Sequence, residues 1–242
     1  PWNYFCHYGD TTLLREHYQG MKHWVEYLQT RTDDKGIVVR EEPNGWCLGE
    51  WSTPHNRIEI PASLVNTAYF YHVTCIMADV AGILDKKEDE HHLHTLAETI
   101  RKNFNAAFYN DVTHHYWEGK QGADVFALAF GLVLEGKQEK VFSALLEHLK
   151  KVNYHFDTGI LATPLLLKVL TENGRADLAY KLMNQRDFPS YGYLADKKNN
   201  TLWETWNGDG NDEGCGHCHP MFGSVVAWFY NSLAGIKPDL VN

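Results

Sequence analysis

The sequence predicts an all-α fold made of consecutive helical pairs, and three observations carry that expectation. Apolar residues recur at three- and four-residue steps along nearly the whole chain. Glycine and short polar turns interrupt those segments at helix length. No segment alternates apolar and polar residues in a convincing strand pattern, apart from a short β-ribbon expected around "SYGYLADKKNNTLWETW", where Tyr191, Tyr193, Leu194 and Leu202 are placed to pair.

The elements follow in order. In 11–29 the positions Leu14, Tyr18, Met21, Val25 and Leu28 form one apolar face, with Asp10 and Thr11 as candidate N-caps. Residues 61–84 start with Pro61 at a first-turn position and carry Leu64, Ala68, Tyr71, Cys75, Val80 and Ile83. Leu93, Leu96, Ile100, Phe104 and Phe108 mark a third helix, and further helical segments are expected near 121–135, 138–151, 160–172, 175–185 and 220–234. Gly136, "NYHFDTG" and Gly174 separate them. Eight helices in consecutive pairs fit a superhelical solenoid or a closed α/α toroid, and the lack of a fixed-period repeat favours the toroid. The whole of 1–242 reads as one domain.

Composition narrows the partner. A net charge of -9 with no Lys/Arg block argues against nucleic acid and anionic membranes; the nearest cluster, "LDKKEDE", is mixed in sign. No apolar run reaches the length of a membrane span. The chain opens on Pro1-Trp2 in mid-pattern, so it reads as an excerpt of a longer polypeptide whose targeting signal, if any, lies outside these residues, and the compartment stays open between periplasm and cytoplasm. Eight Trp and thirteen Tyr suit a concave site that stacks on sugar rings as well as a helical core rich in large residues.

Two long connections, 30–60 and 186–219, concentrate Trp, Gly and carboxylates: "NGWCLGEWSTP" in the first, "LWETWNGDG" in the second. In an α/α toroid the loops at one end line a central cleft, where these two would meet. Three chemistries compete in the second. The Cys215-Gly216-His217-Cys218 run, followed by His219, lacks both the strand that precedes a redox CxxC and a distant second ligand pair for zinc, so no metal and no cofactor are expected. The cluster Asp209, Asn211, Asp212 and Glu213 lacks the spacing of a calcium loop and reads as solvated. Glu204, between Trp203 and Trp206, is the strongest candidate: a partly desolvated carboxylate suits general-base work on water. Glycoside hydrolysis needs a second carboxyl, and Glu50 is a candidate within these residues.

In this order along one chain, the motifs resemble those of the α-L-rhamnosidases of glycoside hydrolase family 78, over almost the entire length. "PWNYFCHYGD", "GEW", "TGILATPLLLKVL", "DFPSYGY", "TLWETW" and "HPMFGSVVAWFY" each resemble a family stretch. The resemblance implies an (α/α)6 barrel, of which about four of six hairpins are expected here. It implies inverting hydrolysis of terminal α-L-rhamnosyl linkages, with Glu204 as general base. Trp2, Glu50, Trp51, Trp203 and His219 are then expected at the sugar, and a general acid upstream of Pro1 in the remainder of the parent chain. The departures are Glu50 for the family's Asp, Thr205 for Arg, Asn200 for Thr, Tyr191 for Trp and Cys218 for Asn. Other α/α-barrel glycosidases, a polysaccharide lyase and a non-catalytic sugar-binding toroid are the rival expectations.

Overall fold

The computed structural model describes residues 1–39, 49–55, 59–197, 201–207 and 216–237. Among these residues the fold is all-α, with two isolated β-bridges, Thr32 to Val38 and Tyr109 to Tyr116, and no strand. The helices group into two compact units, the first formed by 1–47 with 62–108 and 237–242, the second by 48–61 with 109–236.

In the first unit, α1 (Trp2–Tyr8) leads into α2 (Thr12–Gln29). Leu14, Tyr18, Val25 and Leu28 of α2 are buried, as their spacing predicts. Asp10 Oδ1 accepts the Thr12 N–H at 2.8 Å and its hydroxyl at 2.7 Å, so Asp10 and not Thr11 serves the helix start. α3 (Ala62–Ile83) is apolar on all sides and packs against both α2 and α4. α4 (Lys87–Phe108) shows the one-sided pattern Leu93, Ala97, Ile100, Phe104 and opens with Glu88, Asp89 and Glu90, acids that suit the positive end of its dipole. Asp89 also accepts from Tyr18 (2.6 Å) and Lys22 (2.7 Å), pinning α4 to α2.

In the second unit, α5 (Gln121–Ala129) is buried from Gln121 to Ala127 and packs on α6 (Gln138–Lys151) and α7 (Ala162–Glu172). α8 (Ala176–Met183) and the stretch 220–233 close over α7. Asp124, fully buried in α5, holds the preceding loop by accepting the Tyr116 N–H and a His115 ring nitrogen, each at 2.7 Å. α5 ends at Ala129 instead of reaching 135, because Phe130 and the left-handed Gly131 (φ 75) turn the chain out of the helix.

Two further expectations are corrected. Residues 190–196, expected in a β-ribbon, form a helix, α9 (Tyr191–Asp196): the Ser190 side chain accepts the Tyr193 N–H at 3.0 Å and caps it. The last segment, expected as one helix, starts as a 3-10 turn (Pro220–Val225), has one α turn (Val226–Trp228) and ends π-helical (Phe229–Leu233).

Candidate active site

A five-residue strip at the start of α7, 158–162, positions two loops of the second unit. The first is 49–55. Glu50 is fully buried, and its Oε1 accepts the Ala162 N–H at 3.1 Å. The Trp51 carbonyl accepts the Ile160 N–H at 3.2 Å. Gly159 is required here: a Cβ on it would lie 1.9 Å from the Trp51 carbonyl oxygen. The second loop is 201–207, fastened by the Trp206 indole N–H donating to the Thr158 carbonyl at 2.9 Å. Thr158 is braced in turn by a 2.7 Å contact between its hydroxyl and that of Thr163.

Aromatic packing fixes the second loop further. Trp206 has no exposed surface; it stacks on Phe156 (ring centroids 5.1 Å apart) and is bounded by Tyr191 and Phe222 at 5.3 and 4.5 Å. The Tyr191 hydroxyl, whose ionisation burial strongly opposes, donates to the Phe222 carbonyl at 2.8 Å. Trp203 is also buried and stacks on His217 at 5.0 Å. The indoles on either side of Glu204 thus pack inward on partners of their own.

Glu204, between them, is half-buried. Its backbone N–H donates to the Gly216 carbonyl and its Oε2 accepts the Gly216 N–H, both at 2.9 Å. One step along, the His219 N–H donates to the Leu202 carbonyl at 2.9 Å, so 201–204 and 216–219 lie side by side. A Cβ on Gly216 would meet Glu204 Oε2 at 3.2 Å and His219 Cβ and Cδ2 at 3.8 Å, which brings the carboxylate and the imidazole to the same face of one glycine. The Nδ1 of His219 accepts the Met221 N–H at 3.4 Å. In the neutral ring this leaves the proton on Nε2, a donor for a ligand hydroxyl.

A cavity of about 440 Å³ is lined by Pro54 and His55 of the first loop, Asn207 of the second, and Phe188. Phe188 lines it with its ring set edge-on to Tyr193 at 5.4 Å.

Glu50 differs in character from Glu204. Burial pushes its pKa up to about 7, against the pull of the Ala162, Gly159 and Leu161 N–H groups. Its second oxygen, Oε2, is buried without a hydrogen-bond partner among the described residues.

Of the residues singled out in the sequence, Glu204, Trp203 and His219 therefore sit together, and Glu50 and Trp51 share their anchoring strip. Trp2 lies half-buried in α1 of the first unit, 5.9 Å from the Phe5 ring. Cys218 is exposed with a free thiol, whereas Cys215 and the acidic cluster Asp209, Asn211, Asp212 and Glu213 lie outside the described residues. Among the described residues no group of three or more His, Cys, Asp or Glu side chains is disposed to hold a metal, and no helix is long and apolar enough to cross a membrane. Sequence reading missed the anchoring parts of the site, Phe156, Thr158 and the inward-facing Trp206. The motif "TGILATP" was the signal available for them, since a Gly next to a helix start marks close backbone approach.

Comparison with known proteins identifies the family of the chain. Residues 1–233 match the family model of the bacterial alpha-L-rhamnosidase 6 hairpin glycosidase domain. An alpha-L-rhamnosidase of Formosa agariphila is 32% identical over 98% of the chain, and one of Streptomyces avermitilis is 33% identical over 98%. The solved alpha-L-rhamnosidase of Dictyoglumus thermophilum superposes with a TM-score of 0.86 at 36% identity over 93% of the chain. That of S. avermitilis, complexed with L-rhamnose, gives 0.86 at 32% identity over 98%. The chain spans about a quarter of these relatives, 26% and 23% of the two sequences and 25% and 23% of the two structures. With its helices, its motif order and this match over 1–233, the chain belongs to the six-hairpin glycosidase domain of the family 78 α-L-rhamnosidases, of which it forms a part.

Proposed function

We propose that the polypeptide containing this chain hydrolyses terminal α-L-rhamnosyl linkages with inversion, and that Glu204 is its general base. One observation carries this reading: the Glu204 carboxylate is half-exposed on a loop that is immobilised by Trp206 and by the 216–219 segment, next to the His219 ring. A fixed carboxylate open on one side can hold a water and take its proton.

In the step envisaged, Glu204 removes a proton from water while the water oxygen bonds to the anomeric carbon. The glycosidic C–O bond breaks on the opposite face, and the departing oxygen takes a proton from a second carboxyl roughly 6.5 to 9.5 Å away. By resemblance to the family, that acid is assigned to the parent chain upstream of Pro1. Trp51 supplies apolar surface to the sugar ring, His219 donates to a hydroxyl, and the buried Trp203 backs the site through its stack on His217. The leaving group extends into the cavity lined by His55, Phe188 and Asn207.

The test is Glu204→Gln in the full-length polypeptide, assayed on an aryl α-L-rhamnoside. Gln keeps the size and cannot take the proton, so kcat is expected to fall on the order of 100- to 10,000-fold with KM little changed. A loss below about tenfold would remove Glu204 from the role of base.

A further inference from the structure

We propose that Glu50 is the positioning residue for Trp51: its buried carboxylate caps α7 from a different loop, and so fixes the Trp51 backbone to the same strip of chain that holds the Glu204 loop. This rests on the site described above and concerns how it is held.

The observations form a chain of contacts. The first N–H groups of a helix have no partner inside it and need one from elsewhere. α7 has Leu161 at its N-cap, a side chain that cannot accept a hydrogen bond. The missing acceptor comes from Glu50, 112 residues away in sequence, with Oε1 3.1 Å from the Ala162 nitrogen. A carboxylate there also meets the positive end of the α7 dipole. The buried carboxylate is costly by itself, and among the described residues the Ala162, Gly159 and Leu161 N–H groups offset it. Its neighbour Trp51 is then bound by its carbonyl to Ile160, and Ser52 turns the chain through a left-handed conformation (φ 57) that a non-glycine residue holds only when its surroundings enforce it. Thr158, two residues before Ile160, takes the Trp206 indole N–H. The path from Trp51 to the Glu204 loop thus runs through the backbone of 158–162, and Glu50 is the side chain that secures one end of it.

A positioning role separates from a catalytic one by what the replacement keeps. Glu50→Gln retains an oxygen to accept the Ala162 N–H, whereas Glu50→Met fills the same space and accepts nothing. In the full-length polypeptide, Glu50→Met is expected to raise KM for an aryl α-L-rhamnoside about tenfold with kcat within about threefold of wild type, and Glu50→Gln to restore KM. L-rhamnose affinity, followed by Trp fluorescence, is expected to change in parallel. If Glu50→Gln loses kcat as severely as Glu204→Gln, Glu50 is a reacting carboxyl and the proposal fails. It fails equally if Glu50→Met leaves KM and L-rhamnose affinity unchanged.

Amide hydrogen exchange at Ile160 and Ala162 provides a readout independent of turnover, and it decides the matter if Glu50→Met does not fold or the rhamnoside is not turned over. Protection lost in Glu50→Met, or in Glu50→Ala where Glu50→Met does not fold, and kept in Glu50→Gln supports the cap; protection kept in the variant that removes the acceptor overturns it.

Discussion

At the scale of single residues, two glutamates in similar sequence surroundings, "GEW" and "WETW", end in opposite environments. Glu204 is half-exposed with one oxygen on the Gly216 N–H; Glu50 is sealed, with a pKa raised to about 7. The raised value has a consequence for stability. Because the folded chain holds the Glu50 proton more tightly than the unfolded chain does, folding is favoured by acid. The contribution is fully present below the ordinary carboxylate value of 4.5 and is lost as pH rises towards 7. About 1.4 kcal/mol per pKa unit makes the loss on the order of 3 kcal/mol. Glu50→Gln has no proton to lose, so its denaturation midpoint relative to wild type should rise between pH 4.5 and 7 and stay level above. A constant difference across that window would show that Glu50 stays charged throughout. None of this was visible in the sequence, since the helix start that surrounds Glu50 comes from residues more than 100 positions away.

At the scale of elements, the strip 158–162 has little room for change. Gly159→Ala puts a methyl into the Trp51 backbone, which cannot swing aside, whereas Gly122→Ala meets the Cδ1 of Ile60 at 2.7 Å, the end of a flexible side chain. Overpacking typically costs about 1 to 3 kcal/mol. Gly159→Ala should lie at or beyond the upper end, lowering the melting temperature more than Gly122→Ala and weakening L-rhamnose binding as well; equal effects of the two on melting would contradict the close approach. Long helices were legible because their apolar spacing repeats several times, as in Leu93, Ala97, Ile100 and Phe104 of α4. Short ones were not. α9 has six residues, Tyr191–Asp196, in which one buried position, Leu194, leaves no period to detect, and its Tyr-Gly-Tyr sequence imitates strand alternation. α1 buries none of its seven residues and so offers no apolar face to read. The two site-bearing loops were legible through their Trp and carboxylate content, but the inward packing of Trp206 was not, because composition does not tell a tryptophan that holds a loop from one that meets a ligand.

At the scale of the whole molecule, the chain is a quarter of its relatives' length, and the first unit has an apolar groove of about 540 Å³ lined by Pro1, Met21, Trp24, Val73, Ile76 and Met77, among others. Trp24 is 50% exposed there. Surface of this kind promotes association. Residues 1–242 expressed alone should therefore elute from a sizing column as aggregates and show essentially no turnover of an aryl α-L-rhamnoside, while the full-length polypeptide is active. A monomeric segment with robust turnover would mean that the second carboxyl lies within these residues, with Glu50 the first to test.

The strip of chain ahead of α7 also bears on how such a site diversifies. The loops that carry Trp51 and Glu204 are hung from adjacent peptide units, Ile160 holding the first and Thr158 the second. Substitutions in the two loops then share a mechanical support, so their effects on stability and on the proposed L-rhamnose binding should be coupled and not simply add. His55, Phe188 and Asn207 line the cavity and lie outside the 158–162 strip, so substitutions there should change ligand binding without loosening that support.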